Sequence, residues 1–258
     1  MSKIYKKFQH LHIVHRAEIL NYFARDVEKT NNAIRWLLKS GKAQTIKTGL
    51  YYFKRPQEWF ENEVTVSPWL IAGRAILEGA IAYHSALRLR GEAYSETSQF
   101  QVAVGFEFSR APKSFAYQGA SYRFYRADLS FGVEEVAVLD GTVRAFSKER
   151  ILLEGLMAPD KFLGMAEFLK SIEGFKWIDL DGLLAMLPHY PLSTISMRLG
   201  WLLEKFRAQW FVSDDILKKL GKNKPSDLTF LLARKRKGNR QVKNWNLLVP
   251  QNLAFVDE

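Results

Sequence analysis

Apolar side chains recur along the first sixty residues at two different periods. Over residues 16–24 they fall at Ala17, Ile19, Leu20, Phe23 and Ala24, the spacing of one helix face. Residues 28–40 predict a second helix, with Ala33, Ile34, Leu37 and Leu38 on one face and Asn31, Asn32, Arg35 and Lys39 on the opposite one. Gly41 is expected to end it, because glycine enters the left-handed conformation of a helix stop without a Cβ clash. Two short β-like runs follow, 42–46 and 50–53. Lys47-Thr48-Gly49 joins them, and Gly49 supplies the positive φ of a hairpin turn.

Helix, short connection, helix and basic hairpin is the order of a winged helix-turn-helix. After it, residues 54–69 read as a linker, broken at Arg55-Pro56 and Ser67-Pro68. Residues 70–90 predict a helix ended by Gly91. Residues 99–145 turn to β character, 147–169 and 179–208 return to helix, and 228–249 read as a closing hairpin. The expected fold class is α+β. An N-terminal winged-helix domain over 1–56 and a linker over 57–69 lead to a larger mixed α/β domain over 70–258.

Charge sharpens this picture. The chain of 258 residues carries a net +11. Residues 1–60 hold 12 Lys/Arg against 4 Asp/Glu, 61–230 hold 20 against 21, and 231–258 hold 6 against 2. The excess therefore lies at the two ends, as expected for polyanion contact rather than a generally basic surface. The chain has no cysteine, which excludes disulfide scaffolds, thiol nucleophiles and thiolate metal sites. The N-terminal stretch has basic residues but no apolar segment behind them, and no run of about 18 apolar residues occurs anywhere. A cytoplasmic protein without membrane contact is expected.

The polar face of the second predicted helix carries the chemistry of base reading. Asn pairs bidentately with adenine and Arg with guanine. Asn31, Asn32 and Arg35 are thus the candidate base readers, and Lys39, Lys42, Lys47 and Thr48 the candidates for phosphate contact on double-stranded DNA. A solvated helix face carries the same residue types. A second candidate nucleic-acid patch is Arg234, Lys235, Arg236, Lys237, Arg240 and Lys243 beside Trp245, where charge stands next to a ring able to stack an RNA base. The other reading of that patch is a solvated hairpin tip with Trp245 in the core.

Catalytic patterns are weak. His10, His12 and His15 lack a completing carboxylate or cysteine, so no metal site is expected. His84-Ser85 lies outside any G-x-S-x-G elbow. Gly221-Lys222 lacks the rest of a phosphate loop. Asp128 with Glu134 or Asp140 would suit a metal-dependent nuclease, and capping roles explain the same residues. Neither an enzyme nor a cofactor is expected.

Five strings in one order resemble the AbiEi family of antitoxins and transcriptional regulators of type IV toxin–antitoxin and abortive-infection systems. They are Lys47-Thr48-Gly49-Leu50-Tyr51-Tyr52, Tyr83-His84-Ser85-Ala86-Leu87 leading to Gly91, Ser147-Lys148-Glu149-Arg150-Ile151-Leu152-Leu153-Glu154, Arg198-Leu199-Gly200-Trp201-Leu202-Leu203-Glu204, and Trp245-Asn246 before Pro250. The resemblance implies a repressor that binds repeats upstream of its own operon. It also implies a C-terminal domain that counteracts an AbiEii-like nucleotidyltransferase toxin without a stable complex. A solitary DNA- or RNA-binding regulator is the alternative, since family members without a toxin partner exist.

Overall fold

The computed structural model describes residues 2–139, 141–232 and 237–253. It is an α+β protein, and residue contacts gather the chain into two compact units. The first comprises Met1–Ile81, Thr97–Leu129 and Glu134–Ala145, and the second Ala82–Glu96, Ser130–Val133 and Phe146–Glu258.

The first unit opens with α1 (Ser2–Phe8), β1 (Ile13–His15), α2 (Arg16–Tyr22), α3 (Val27–Lys39), β2 (Ala43–Lys47) and β3 (Leu50–Phe53). The three strands form an antiparallel sheet in the order β1-β3-β2. Ile4, Tyr5 and Phe8 of α1 join Val14, Ile19, Ala33, Ile34, Leu37, Ala43 and Phe53 in one core. Burying a side chain such as Ile34 or Leu37 contributes about 1.5–3 kcal/mol. Gly49 has φ +82°, and its carbonyl accepts from the Arg16 N–H at 2.8 Å, so the β2–β3 turn docks on the start of α2.

The stretch read as a linker is tied down. Lys54 is buried, and its ammonium donates to the Glu61 carbonyl at 2.6 Å. The Gln44 side chain pairs with the backbone of Val64 in both directions, at 2.8 and 2.9 Å. Gln118 accepts from the Val66 N–H and donates to the Val64 carbonyl. The 57–69 segment thus lies within the first unit.

Next come α4 (Pro68–Arg74) and β4 (Ala80–Ile81). In place of the single helix expected over 70–90, the helix ends at Arg74, residues 75–79 are non-helical, and the apolar Ala80–Ile81 becomes a buried strand before helix resumes at Tyr83. The remaining strands are β5 (Gln99–Val104), β6 (Phe115–Tyr117), β7 (Ala120–Arg126), β8 (Val133–Val138) and β9 (Gly141–Phe146). With β4 they form a six-stranded mixed sheet in the order β6-β7-β5-β4-β9-β8. β5 runs parallel to β7, and β4 parallel to β9 through Ile81 and Ala145.

The second unit holds α5 (Tyr83–Leu89), α6 (Lys148–Met157), α7 (Met165–Ile172), α8 (Leu180–Ala185), α9 (Leu192–Lys205) and α10 (Asp214–Gly221). Ser147 caps α6 by accepting from the Arg150 N–H, as a Ser-x-x-Arg start allows. Three short strands close the described chain: β10 (Thr229–Phe230), β11 (Asn239–Val242) and β12 (Leu247–Pro250). The predicted hairpin between 228–234 and 242–249 is replaced by a different pairing. β10 lies parallel to β12, and β11 lies antiparallel to it on the other side.

Candidate nucleic-acid interface

α3 is amphipathic and capped at its start. Asp26 caps it by accepting from the Lys29 N–H at 2.9 Å, and Thr30 Oγ1 donates to the Asp26 carbonyl at 2.7 Å. Thr30, Ala33, Ile34 and Leu37 are buried. The opposite face presents Asn31, Asn32, Arg35 and Lys39 to solvent, so the periodicity placed these four on the correct side. Gly41 stops the chain's helical course at φ +67°; a Cβ there would lie 2.5 Å from the Trp59 carbonyl oxygen.

Two arginines orient the two amides. Arg16 Nη2 donates to Asn31 Oδ1 at 3.0 Å, and Arg35 Nη1 donates to Asn32 Oδ1 at 3.1 Å. Each amide oxygen keeps a second lone pair, and each amide nitrogen is thereby turned away from its arginine. Arg16 is a residue that the sequence pattern did not single out. It stands fifteen positions from Asn31 at the first turn of α2, and no local spacing signals the pair.

The hairpin departs from expectation. Thr48 is exposed, but neither Lys42 nor Lys47 extends away from the protein. The Lys42 ammonium lies between Trp36 and Trp59, 4.7 and 4.5 Å from their ring centres. The Lys47 ammonium lies 4.3 Å from the centre of Phe115 and 5.4 Å from that of Phe124. Burial pushes the Lys47 pKa below that of an ordinary lysine. Both cations are engaged with aromatic faces, which attract them through the ring quadrupole. Of the four phosphate candidates, Lys39 and Thr48 remain outward.

The C-terminal candidate patch is divided. Lys237, Arg240 and Lys243 are exposed, whereas Arg234, Lys235 and Arg236 lie outside the described residues. Trp245 is 3% exposed, and its indole N–H donates to Glu204 Oε2 at 2.8 Å. Its ring rests against Gly200 of α9, where a Cβ would overlap it. Trp245 therefore offers no face to a base, and the core reading of this residue replaces the stacking one.

His84 and Ser85 are buried in α5, with His84 Nε2 3.5 Å from Glu167 Oε1. Burial, outweighing Glu167, lowers the His84 pKa. Among the described residues, no three His, Asp or Glu side chains are grouped to hold a metal ion; Asp140 lies outside them. No helix among them is long and apolar enough to cross a membrane.

No family model matches the chain, and no curated protein matches it. A crystal structure of the RV2827C protein from Mycobacterium tuberculosis is similar over 96% of this chain and 90% of its own, with a TM-score of 0.57 and 13% identity. At that identity the likeness describes the fold.

Proposed function

We propose that the protein is a DNA-binding transcriptional repressor whose first fifty-odd residues act as a winged helix-turn-helix, with α3 as the helix that enters the major groove. The observation that carries this reading is the exposed row Asn31, Asn32 and Arg35. Its amides are held by Arg16 and Arg35, and its helix is anchored by a core that also holds strands of a small antiparallel sheet. Preordered amides lose less side-chain entropy when they meet a base edge. In this reading Lys39 and Thr48 touch phosphates, while Lys42 and Lys47 brace the wing. The regulated site is double-stranded DNA upstream of the protein's own gene. The protein works by binding, in the cytoplasm, without turning over a substrate.

Resemblance to the AbiEi strings extends the proposal to a type IV antitoxin. The C-terminal part counteracts a nucleotidyltransferase-like toxin encoded next to it, without a stable complex. The primary experiment titrates the full chain against upstream and scrambled DNA across a salt series. Preferential binding upstream at about 150 mM salt supports the repressor; equal, steeply salt-sensitive binding to both rejects it. Co-expression with the neighbouring gene tests the second half, which fails if growth arrest by that gene product is unrelieved.

A further inference from the structure

A recess of about 360 Å³ opens beside the reading face, lined by Lys3 and Ile4 of α1, Tyr22 and Phe23 at the end of α2, and Lys29 and Asn32 of α3. Its wall is aromatic. The Tyr22 ring meets Phe23 edge-on at 5.0 Å and Phe8 edge-on at 5.8 Å, which fixes its orientation. Tyr22 is nevertheless 41% exposed, an apolar face left open to water. None of the six lining residues is acidic, and two are lysines. The Lys29 side chain is 70% exposed, and its ammonium pairs with Asp26 at 3.1 Å at the open edge of the recess.

A concave apolar site with a few convergent polar groups is what a small ligand needs, and this volume lies at the small end of such sites. An aromatic wall with Lys3, the Asp26-paired Lys29 and one amide at its edge has about one positive charge in excess, which selects a flat apolar body carrying one anionic group. A sugar–phosphate fits less well, because the wall is mainly hydrocarbon and a phosphate there would lose hydration. We propose that this recess binds a small aromatic carboxylate, and that the bound ligand excludes DNA because Asn32 belongs to both surfaces. The second clause rests on the DNA-reading function; the first does not.

The probe is 2-naphthoate, titrated into the full chain without DNA and followed by NMR at Ile4, Tyr22 and Phe23. Saturable shifts at these residues are expected, weakened about tenfold in the Lys3→Ala/Lys29→Ala double variant and about tenfold for neutral 2-naphthalenemethanol. Both lysines are on the surface, so the double variant keeps the fold. In a second arm, saturating 2-naphthoate raises the apparent Kd for upstream DNA at least about threefold, and does so less in the double variant. Absence of saturable shifts up to about 5 mM, or shifts indifferent to the lysines, overturns the site. Binding that leaves DNA affinity unchanged overturns the exclusion. A chain that binds 2-naphthoate as described but prefers no upstream DNA upholds the site and condemns the DNA reading instead.

Discussion

Removing the Arg35 guanidinium takes away both a candidate base contact and the donor that orients Asn32. Arg35→Ala is expected to cost about 1–3 kcal/mol on the preferred DNA and to narrow the gap between preferred and scrambled sequence. Arg16→Ala acts only through Asn31 in this scheme, so its loss should be smaller, about 1 kcal/mol, and again confined to the preferred sequence. Equal losses on both DNAs for either variant would remove base reading from α3. The lysines divide differently. Lys39→Ala should weaken all sequences alike and reduce the salt slope by about one. Lys47→Met keeps the hydrocarbon stem against Phe115 and should leave that slope unchanged; a drop would return Lys47 to the phosphates. His84 gives a pH signature. Its folded-state pKa lies below the ordinary 6.5, so folding favours the neutral ring. Its contribution is fully present above about pH 6.5, falls as pH drops through that value, and levels off below the folded pKa. Urea denaturation between pH 8 and 5 should show a shallower acid decline for His84→Gln than for the parent, and an identical decline would mean that other groups carry it.

At the scale of elements, the glycine stops separate strain from contact. Gly91 has φ +70° and open space where a Cβ would go, so Gly91→Ala should cost only the left-handed strain, about 1–2 kcal/mol. Gly41 has nearly the same φ but a carbonyl 2.5 Å from the same position, so Gly41→Ala should cost measurably more in urea denaturation. Equal costs would mean that the Trp59 segment yields freely. These stops were legible because positive φ leaves a residue-type signature. The α2, α3, β2 and β3 boundaries were legible too, since one buried face at a fixed period dictates them. The break after α4 was not. Ala80–Ile81 is a two-residue apolar strand whose β identity comes from Ala103, Val102 and Ala145, residues far along the chain. The same holds for the C-terminal sheet: two runs separated by a turn look like hairpin partners, yet β10 chose the parallel side of β12. In the candidate site, the face of α3 was readable from its period. The amide-holding Arg16 and the aromatic covers of Lys42 and Lys47 were not, because each is a contact between elements.

At the scale of the whole molecule, the basic N-terminal segment does not end where its composition does. Lys47 is covered by Phe115 and Phe124, and Val64 and Val66 are bonded to Gln118, all from a sheet assembled much later in the chain. A fragment ending at residue 69 should therefore unfold at lower urea than the same segment within the full chain, as followed by NMR at Leu37; matching midpoints would show that those covers contribute nothing. The order of assembly has a temporal meaning during synthesis. β3 ends at Phe53, whereas β4 must wait for Ala145 to gain its parallel neighbour. At about 5–20 residues per second, the ribosome delivers that neighbour roughly 5–18 s after the end of β3. Through that interval the nascent chain exposes strand edges, and any message broken before the codon for Ala145 yields a product whose first unit lacks an inner strand.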